Sequence, residues 1–230
     1  MSEKQNVRKE ERADKVRLVI LDFDGVILES VSAKTDAFRA LFSFCPEHVR
    51  EIVKFHRQNG GMSRFDKFDY IYKNILKVPL TDPKKQDLSE KFSNLVFEKI
   101  ISSPFVPGAF EFIWEFHRSI PLYIVSATPE NELARIVSQR GLTPYFCRIY
   151  GSPRKKRDCI KDIIAQSGIP CSEIVFVGDA KNDLDAAVET NIRFIGREKH
   201  GDKEVFSQCR GVECIIPDLT GLKKYIEEKT

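Results

Sequence analysis

The chain has 230 residues, of which 42% are hydrophobic and 31% are charged, and its formal net charge is +3. This length allows one sizeable core, or a core domain with a small insert. The charges nearly cancel, no apolar run approaches the ~18 residues that span a membrane, and no secretory signal precedes the first apolar run. We therefore expect a cytoplasmic protein that binds neither nucleic acid nor membrane.

In chain order, a charged segment at residues 1–15 is predicted to be a mobile tail. The run VRLVILDFDG at 16–25 is apolar and ends on acidic residues and a glycine, which is typical of a buried strand in a parallel sheet. Similar runs lie at 121–129, 146–152, 173–179 and 193–197, and a short last strand and closing helix are expected in 214–229. Amphipathic segments between them lie at 108–119, 130–140, 157–167 and 182–190. This alternation predicts an α/β fold, a Rossmann-like open parallel sheet with helices on both faces.

Residues 30–104 break the alternation, because they contain no convincing strand. Four segments in this stretch have apolar residues at helical spacing: 33–44, 47–58, 63–76 and 88–101. Prolines 104 and 107 mark the return to alternating strands and helices. We therefore predict a core domain formed by 1–29 and 105–230, with 30–104 as an inserted α-helical cap domain.

Polar residues follow the predicted strands, at the end of the sheet where open α/β proteins bind ligands. The first strand ends at Asp22 and Asp24, the second at Ser126, Ala127 and Thr128, and the strand at 173–178 at Asp179, with Asp183 four residues later. If this last strand lies beside the first, the four aspartates converge. Taken alone, Asp22 and Asp24 are compatible with an Asp-Gly turn, and Asp179 and Asp183 with capping of a helix N-terminus. Ser126 is likewise compatible with a cap of the following helix.

Four neighbouring carboxylates repel one another, so they need raised pKa values or a cation. A set of oxygen ligands points to a hard ion, and Mg²⁺ is the ion that commonly joins carboxylates to a substrate phosphate. A basic residue in the run 154–157 is able to balance phosphate charge, although such runs are often solvated.

Four sequences together, DFDGV, SAT, GSPRKK before the helix CIKDII, and VGDAKND, resemble the four motifs of the haloacid dehalogenase superfamily in order and spacing. DGVILES followed by a helical insert resembles the members with a helical cap, such as phosphoglycolate phosphatase and β-phosphoglucomutase. The resemblance covers roughly residues 16–200. It implies a Mg²⁺-dependent phosphatase that acts on a small phosphorylated metabolite, with sugar phosphates as the default expectation.

The resemblance also implies a role for each matching residue. Asp22 is the nucleophile that becomes an aspartyl-phosphate, and Asp24 is the general acid and base. Ser126 and the neighbouring backbone of Ala127 and Thr128 hold the phosphoryl oxygens. Lys156, or Lys155 as the fallback, neutralises the transferring group. The implied Mg²⁺ ligands are Asp22, the carbonyl oxygen of Asp24, and Asp179, while Asp183 binds the ion through water or orients Lys156.

The predicted cap is expected to supply substrate specificity. Its glycine-containing loop at 58–64 ends at Arg64, which is predicted to meet an anionic substrate group, although a plain helix–helix turn with a solvated arginine fits equally. Lys34 is predicted to face the active site from the first cap helix, with a surface position as the alternative. His56 is interpreted as a structural histidine.

Two other functions stay open. A phosphomutase is the first, but the segment ILESVSAKTDAF, which carries a histidine in the mutases, has none here and favours hydrolysis. The second is a non-catalytic module that binds a phosphorylated metabolite or a protein. One departure from the commonest family pattern is Glu29, where many members have aspartate. The oligomeric state, monomer or dimer, is not predicted by the sequence.

Overall fold

A computed structural model describes residues 15–201 and 204–229, and its centre is a sheet of six parallel strands. The strands are β1 (Leu18–Leu21), β2 (Leu122–Pro129), β3 (Arg148–Ser152), β4 (Ile174–Gly178), β5 (Arg193–Arg197) and β6 (Cys214–Ile216). Their order across the sheet is β3-β2-β1-β4-β5-β6. The connection therefore reverses direction between β1 and β4, the switch point at which open α/β sheets bind ligands.

Successive side chains of β1 point to opposite faces of the sheet, and both faces are covered. Leu18 and Ile20 pack into one hydrophobic cluster, whereas Val19 and Leu21 pack into the other. All four side chains are fully buried, as expected for a parallel strand with helices on both sides. The predicted Rossmann-like α/β fold is confirmed.

Nine α-helices surround or extend this sheet within the described residues. Five belong to the alternating part of the chain: α5 (Ala109–Phe116), α6 (Glu130–Gln139), α7 (Lys156–Ser167), α8 (Lys181–Thr190) and α9 (Leu219–Glu228). Each lies within a few residues of its predicted position. The first four lie between parallel strands, which is why a strand and a helix alternate along the sequence, and α9 closes the chain after β6.

The stretch 30–104 is helical, as its apolar spacing predicts. It contains α1 (Val31–Leu41), α2 (Pro46–Gln58), α3 (Arg64–Tyr70) and α4 (Asp82–Ile101), and α3 continues as a π-helical segment, Ile71–Leu76. The hydroxyls of Ser63 and Thr81 accept hydrogen bonds from backbone N–H groups at the start of α3 and α4, which satisfies donors that a helix end leaves free. The aromatic rings of these helices, including Phe38, Phe42 and Phe68, pack against one another.

Three other features concern the N-terminal segment, the cysteines and the length of the helices. The predicted tail at 1–15 lies outside the described residues, apart from Lys15. All six cysteines are free thiols, with Cys45 and Cys159 buried. None of the helices in the described part of the chain is both long and apolar enough to cross a membrane.

We predict that Phe42→Ala lowers the free energy of unfolding by about 3 to 5 kcal/mol, because it leaves a cavity beneath α1. Phe44 is the matched control, since its ring is 61% exposed, and Phe44→Ala should cost less than about 1 kcal/mol. Urea unfolding of the two variants measures both values. Equal losses at the two positions would contradict the buried aromatic cluster.

Candidate active site

Three carboxylates converge where β1 and β4 end side by side. Leu18 pairs with Ile174 and Leu21 with Val177, so the residues that follow the two strands are neighbours. Asp22, Asp179 and Asp183 each offer an oxygen, and these oxygens all lie within 4.8 Å of one another. The convergence expected from adjacent strands is therefore present in the structure.

Two glycines allow the chain to approach this carboxylate centre closely. Gly25 has a φ of +80°, and a Cβ built there would lie 2.1 Å from Asp179 Oδ2. A Cβ on Gly178 would lie 2.3 Å from Cβ of Asp183. Any other residue at Gly25 would combine an unfavourable backbone conformation with a clash, so the DFDG turn depends on this glycine.

Lys156 is the cation that reaches the carboxylate centre. It is the first residue of α7, its side chain is buried, and its Nζ lies 3.0 Å from Asp22 Oδ2 and donates to Asp183 Oδ1. The other oxygen of Asp183 accepts from the backbone N–H of Ala180 at 3.1 Å. Lys155 is exposed, so Lys156 is the lysine of the basic run that contacts the centre.

Burial gives these groups unusual protonation equilibria. It raises the pKa of Asp22, and the charges of Asp183 and Asp24 add to this, although Lys156 opposes the rise. Burial and the charges of Asp22 and Asp183 also raise the pKa of Asp179 well above its ordinary value. Burial alone disfavours the ammonium of Lys156, but Asp183 and Asp22 outweigh it and raise the pKa of Lys156. The centre has more carboxylates than one lysine neutralises, which is the situation that a bound cation relieves.

Asp24 follows Asp22 by two residues but has a different set of partners. Its Oδ1 accepts from Ser30 Oγ at 2.6 Å, and its Oδ2 accepts from Thr128 Oγ1 at 3.0 Å and from Lys34 Nζ. Burial disfavours the anion, but the charge of Lys34 and these hydrogen bonds outweigh it and lower the pKa of Asp24. Asp24 is therefore held ionised and fixed in orientation by three donors.

The end of β2 contributes the predicted phosphate-binding segment. Ser126, Ala127 and Thr128 all line the cavity above the carboxylates. Ser126 Oγ accepts from the backbone N–H of Thr128 at 3.2 Å, so it does not cap α6, which begins at Glu130. Lys34 also donates to Thr128 Oγ1 at 2.8 Å, and this contact joins α1 to the end of β2.

A cavity of about 610 Å³ lies between the strand ends and the helices of 30–104. The predicted loop at 58–64 forms part of its wall. A Cβ on Gly60 would lie 3.2 Å from Cβ of Ala180, and a Cβ on Gly61 would lie 3.2 Å from Cβ of Asn182. The loop therefore packs directly against the turn that carries Asp179.

The structure gives Arg64 a different partner from the predicted substrate. Its guanidinium donates to Glu132 through two nitrogens, at 2.7 and 2.9 Å, and to Ser93 Oγ at 2.6 Å. Both charged side chains are buried, and Glu132 belongs to α6. In this conformation the charge of Arg64 is neutralised by Glu132, although Arg64 lines the cavity, and its contact with an anionic substrate group stays a prediction.

His56 and Lys67 form a pair that was not predicted from the sequence. Both side chains are buried and line the cavity, and Lys67 Nζ lies 3.1 Å from His56 Nδ1. A signal was available, because Lys67 is on the apolar face of a predicted helix, next to Phe68. A lysine in that register is either a snorkelling side chain or a buried charge.

The turn after Asp24 also has a partner that the sequence did not indicate. Glu29 Oε1 accepts from Arg197 Nη2 at 2.6 Å, and Arg197 also donates to the carbonyl of Gly25 at 3.1 Å. Glu29 has a longer side chain than the aspartate that many family members have at this position. It thus joins the loop after β1 to the end of β5.

Comparison with known proteins agrees with this geometry. The profile of the haloacid dehalogenase-like hydrolase family matches residues 16–189. The chain belongs to this family. The enzyme class predicted from the motifs, a phosphoric monoester hydrolase of this family, is confirmed, because curated relatives of the chain carry that activity in their names.

Among those relatives, the phosphoglycolate phosphatase of Pseudomonas fluorescens (strain Pf0-1) is 25% identical over 197 residues, which is 78% of this chain and 68% of the relative. The phosphoglycolate phosphatase of Vibrio parahaemolyticus is 27% identical over 192 residues, with 75% and 79% covered. Among solved structures, β-phosphoglucomutase of Clostridium difficile superimposes with a TM-score of 0.72 at 18% identity, covering 93% of this chain and 96% of that one. At this identity the last likeness shows the fold alone.

We predict that Arg64→Ala lowers the free energy of unfolding by about 3 kcal/mol or more, because it leaves the carboxylate of Glu132 buried without a cation. The double variant Arg64→Met/Glu132→Leu, which removes both charges and keeps the volume, should recover most of that loss. Urea unfolding of the wild type and the two variants measures the difference. If Arg64→Ala were as stable as the wild type, the ion pair would have no part in holding α3 against α6.

Proposed function

We propose that the protein is a Mg²⁺-dependent phosphatase of a small phosphorylated metabolite, and that Asp22 is phosphorylated during turnover. The observation that carries this proposal is the arrangement of two kinds of carboxylate beside one cavity. Asp22 lies with Lys156 in the buried triad, whereas Asp24 is held separately by Ser30, Lys34 and Thr128. Two carboxylates in different environments suit a nucleophile and an acid/base group.

The residues of the triad fit a magnesium ion. Its donors are carboxylate oxygens only, buried for Asp22 and Asp183 and half-buried for Asp179, and they carry more negative charge than Lys156 offsets. Asp22, Asp179 and Asp183 would hold the ion, with the main-chain carbonyl of Asp24 as the further ligand implied by the family resemblance. When bound, Mg²⁺ supplies positive charge that offsets the carboxylates and the phosphoryl oxygens.

In the first step, an oxygen of Asp22 attacks phosphorus and the bond from phosphorus to the leaving oxygen breaks. Two contacts orient this carboxylate: the backbone N–H of Phe23 donates to Oδ1 at 2.7 Å, and Lys156 contacts Oδ2. We assign the phosphoryl oxygens to Ser126 and to the backbone at Ala127 and Thr128. Asp24 gives the leaving oxygen its proton.

In the second step, water attacks the phosphorus of phosphorylated Asp22, the bond from phosphorus to the Asp22 oxygen breaks, and inorganic phosphate is released while Asp24 takes the proton from that water. The contact with Lys34 favours the anionic form of Asp24, which is the form that accepts a proton. The first step needs the protonated form, so binding of the substrate has to relieve the contact between Lys34 and Asp24. Lys34 therefore differs from a simple substrate ligand, because its charge acts on Asp24, the acid/base group.

We also propose that residues 30–104 act as a cap domain over the core formed by 1–29 and 105–230. The support is that α1 to α4 follow one another without a strand and face the carboxylate centre across the cavity. An enclosed site admits a small metabolite more readily than a macromolecule.

The cytoplasm is the proposed location. The relatives named as phosphatases favour hydrolysis over the phosphomutase alternative.

We predict that the wild type releases inorganic phosphate from a panel of phosphorylated metabolites only when Mg²⁺ is present. Asp22→Asn should reduce this release to background, since an amide does not attack phosphorus as a carboxylate does. Asp69→Asn is the matched control, because Asp69 is an exposed aspartate of α3, and it should keep the wild-type rate. Phosphate release by Asp22→Asn at the wild-type rate would contradict the nucleophile assignment.

We predict that Asp24→Asn lowers turnover of an alkyl phosphomonoester by about 10²- to 10⁴-fold, because the leaving alkoxide is no longer protonated. With p-nitrophenyl phosphate, whose leaving group needs no proton, the variant should release a burst of nitrophenol and then stall, since the second step still lacks its base. A stopped-flow trace shows the burst. Wild-type turnover of the alkyl ester by Asp24→Asn would falsify the acid/base assignment.

The non-catalytic alternative has its own test. Beryllofluoride mimics a phosphoryl group bound to an aspartate, so the phosphatase proposal predicts an adduct at Asp22 that forms only with Mg²⁺. A binding module without a nucleophile predicts none. Fluorine NMR of the wild type and Asp22→Asn distinguishes the two.

A further inference from the structure

Arg197 is the last residue of β5, and its guanidinium joins three separate segments of the chain. Nε donates to the carbonyl of Pro217 at 2.9 Å, Nη1 to the carbonyl of Gly25 at 3.1 Å, and Nη2 to Glu29 Oε1 at 2.6 Å. The side chain is only 5% exposed. A buried guanidinium needs acceptors for its N–H groups, and here each of its three nitrogens has one.

The contact with Pro217 fixes the guanidinium to the sheet. Pro217 follows β6, whose last residue, Ile216, pairs with Arg197 across the sheet. The N–H of Glu198 also donates to the carbonyl of Ile216, at 2.9 Å. The end of β5 is therefore held both by main-chain hydrogen bonds and by Nε of Arg197. Because the guanidinium is a rigid planar fork, Nη1 and Nη2 then have a fixed direction relative to the strands.

The contact with Gly25 reaches the turn that carries the candidate metal ligands. The N–H of Gly25 donates to the carbonyl of Leu28 at 2.7 Å, and its own carbonyl accepts from Arg197, so both peptide groups beside its Cα are held. The first of these planar groups contains the carbonyl of Asp24, the further Mg²⁺ ligand that the family resemblance implies. Gly25 also abuts Asp179, because a Cβ at Gly25 would lie 2.1 Å from Asp179 Oδ2. The direction of the Asp24 carbonyl and the position of Asp179 thus both depend on Gly25.

The contact with Glu29 reaches the connection between the core and the proposed cap. Glu29 is the last residue before the stretch 30–104, and its N–H donates to the carbonyl of Pro104 at 3.0 Å, so the chain enters and leaves this stretch side by side. Glu29 Oε2 also lies 3.6 Å from Lys199 Nζ, but that lysine is exposed, and an exposed pair contributes little. Arg197 is therefore the buried cation that holds the side chain of Glu29.

From these contacts we infer that Arg197 is a positioning residue of the proposed magnesium site. It holds the turn at Gly25, so that the carbonyl of Asp24 and the carboxylate of Asp179 are directed at one ion. Glu29 keeps the guanidinium in place. This inference rests on the proposed function, because the ion belongs to that proposal. Removing a group that orients metal ligands typically weakens metal binding by about 10- to 100-fold.

The charge of Arg197 would affect metal binding in the opposite direction from its positioning role. A cation beside a metal site repels the ion, and removing Arg197 would also leave the negative charge of Glu29 uncompensated, which attracts the ion. By charge alone, loss of Arg197 would therefore strengthen metal binding. Weaker binding identifies positioning as its role.

The test measures metal binding without substrate. Free Mn²⁺ has an EPR signal that is lost on binding, Mn²⁺ takes oxygen ligands as Mg²⁺ does, and competition between the two ions gives the affinity for Mg²⁺. The variants are Arg197→Met, which removes the donors, and Arg197→Lys, which keeps the charge but loses the planar fork. Arg193→Met is the matched control. Arg193 begins the same strand, at the end far from the carboxylates, and donates to Glu213 through two nitrogens, both at 2.7 Å.

We predict that Arg197→Met weakens Mg²⁺ binding by about 10- to 100-fold. Arg197→Lys should weaken it to a smaller extent, because one ammonium does not reach all three acceptors. Arg193→Met should keep the wild-type affinity. Both methionine variants should melt below the wild type, since each leaves a carboxylate without its arginine, so only the affinity separates the two positions.

The outcomes distinguish this inference from the proposed function. Wild-type affinity for Mg²⁺, or a higher one, in Arg197→Met would overturn the positioning role and leave the phosphatase proposal intact. If Arg197→Met does not fold, wild-type affinity in Arg197→Lys would overturn it in the same way. Equal weakening in Arg193→Met would assign the effect to lost stability and also overturn it. A wild type that binds no Mg²⁺ would contradict the metal site itself, and with it both proposals.

Discussion

The structure depends on one electrostatic constraint, the burial of three carboxylates around a single lysine. Oxygens of Asp22, Asp179 and Asp183 lie within 4.8 Å of one another, and among residues 15–201 and 204–229 only Lys156 forms an ion pair with this group. Such a centre is stable only if protons or a cation compensate the excess negative charge. The parallel pairing of β1 with β4 brings these residues together, and the glycines at 25 and 178 leave room for them.

The same principle of charge balance organises the rest of the cavity. Lys34 compensates Asp24, and Arg64 compensates Glu132, so α1 and α3 are each joined to the strand-and-helix part of the chain by an ion pair, half-buried for Lys34 and buried for Arg64. Lys67 also lines the cavity, and within residues 15–201 and 204–229 its Nζ has His56 rather than a carboxylate as its polar contact. At the reaction end the three carboxylates carry more negative charge than Lys156 offsets, which fits a metal ion as the missing partner.

The sequence predicted the sheet and the carboxylate centre, because both depend on local patterns. Apolar runs marked the strands, and the residues after them, such as Asp22 and Asp179, are neighbours in any sheet that pairs those strands. The partners of Arg64 were not predictable in this way, since Glu132 is 68 residues away along the chain and meets it only through the packing of α3 on α6. Lys67 was visible as a lysine on an apolar helical face, but its lack of a carboxylate partner depends on every neighbouring element.

The central claim is that Asp22 carries the phosphoryl group during turnover. Borohydride reduces an aspartyl-phosphate to homoserine, so rapid quenching of the wild type with substrate and Mg²⁺, reduction and mass spectrometry locate the acyl-phosphate directly. The account predicts homoserine at position 22 and at no other aspartate. Turnover without homoserine at position 22, or with homoserine at Asp24 or Asp179 instead, would contradict it.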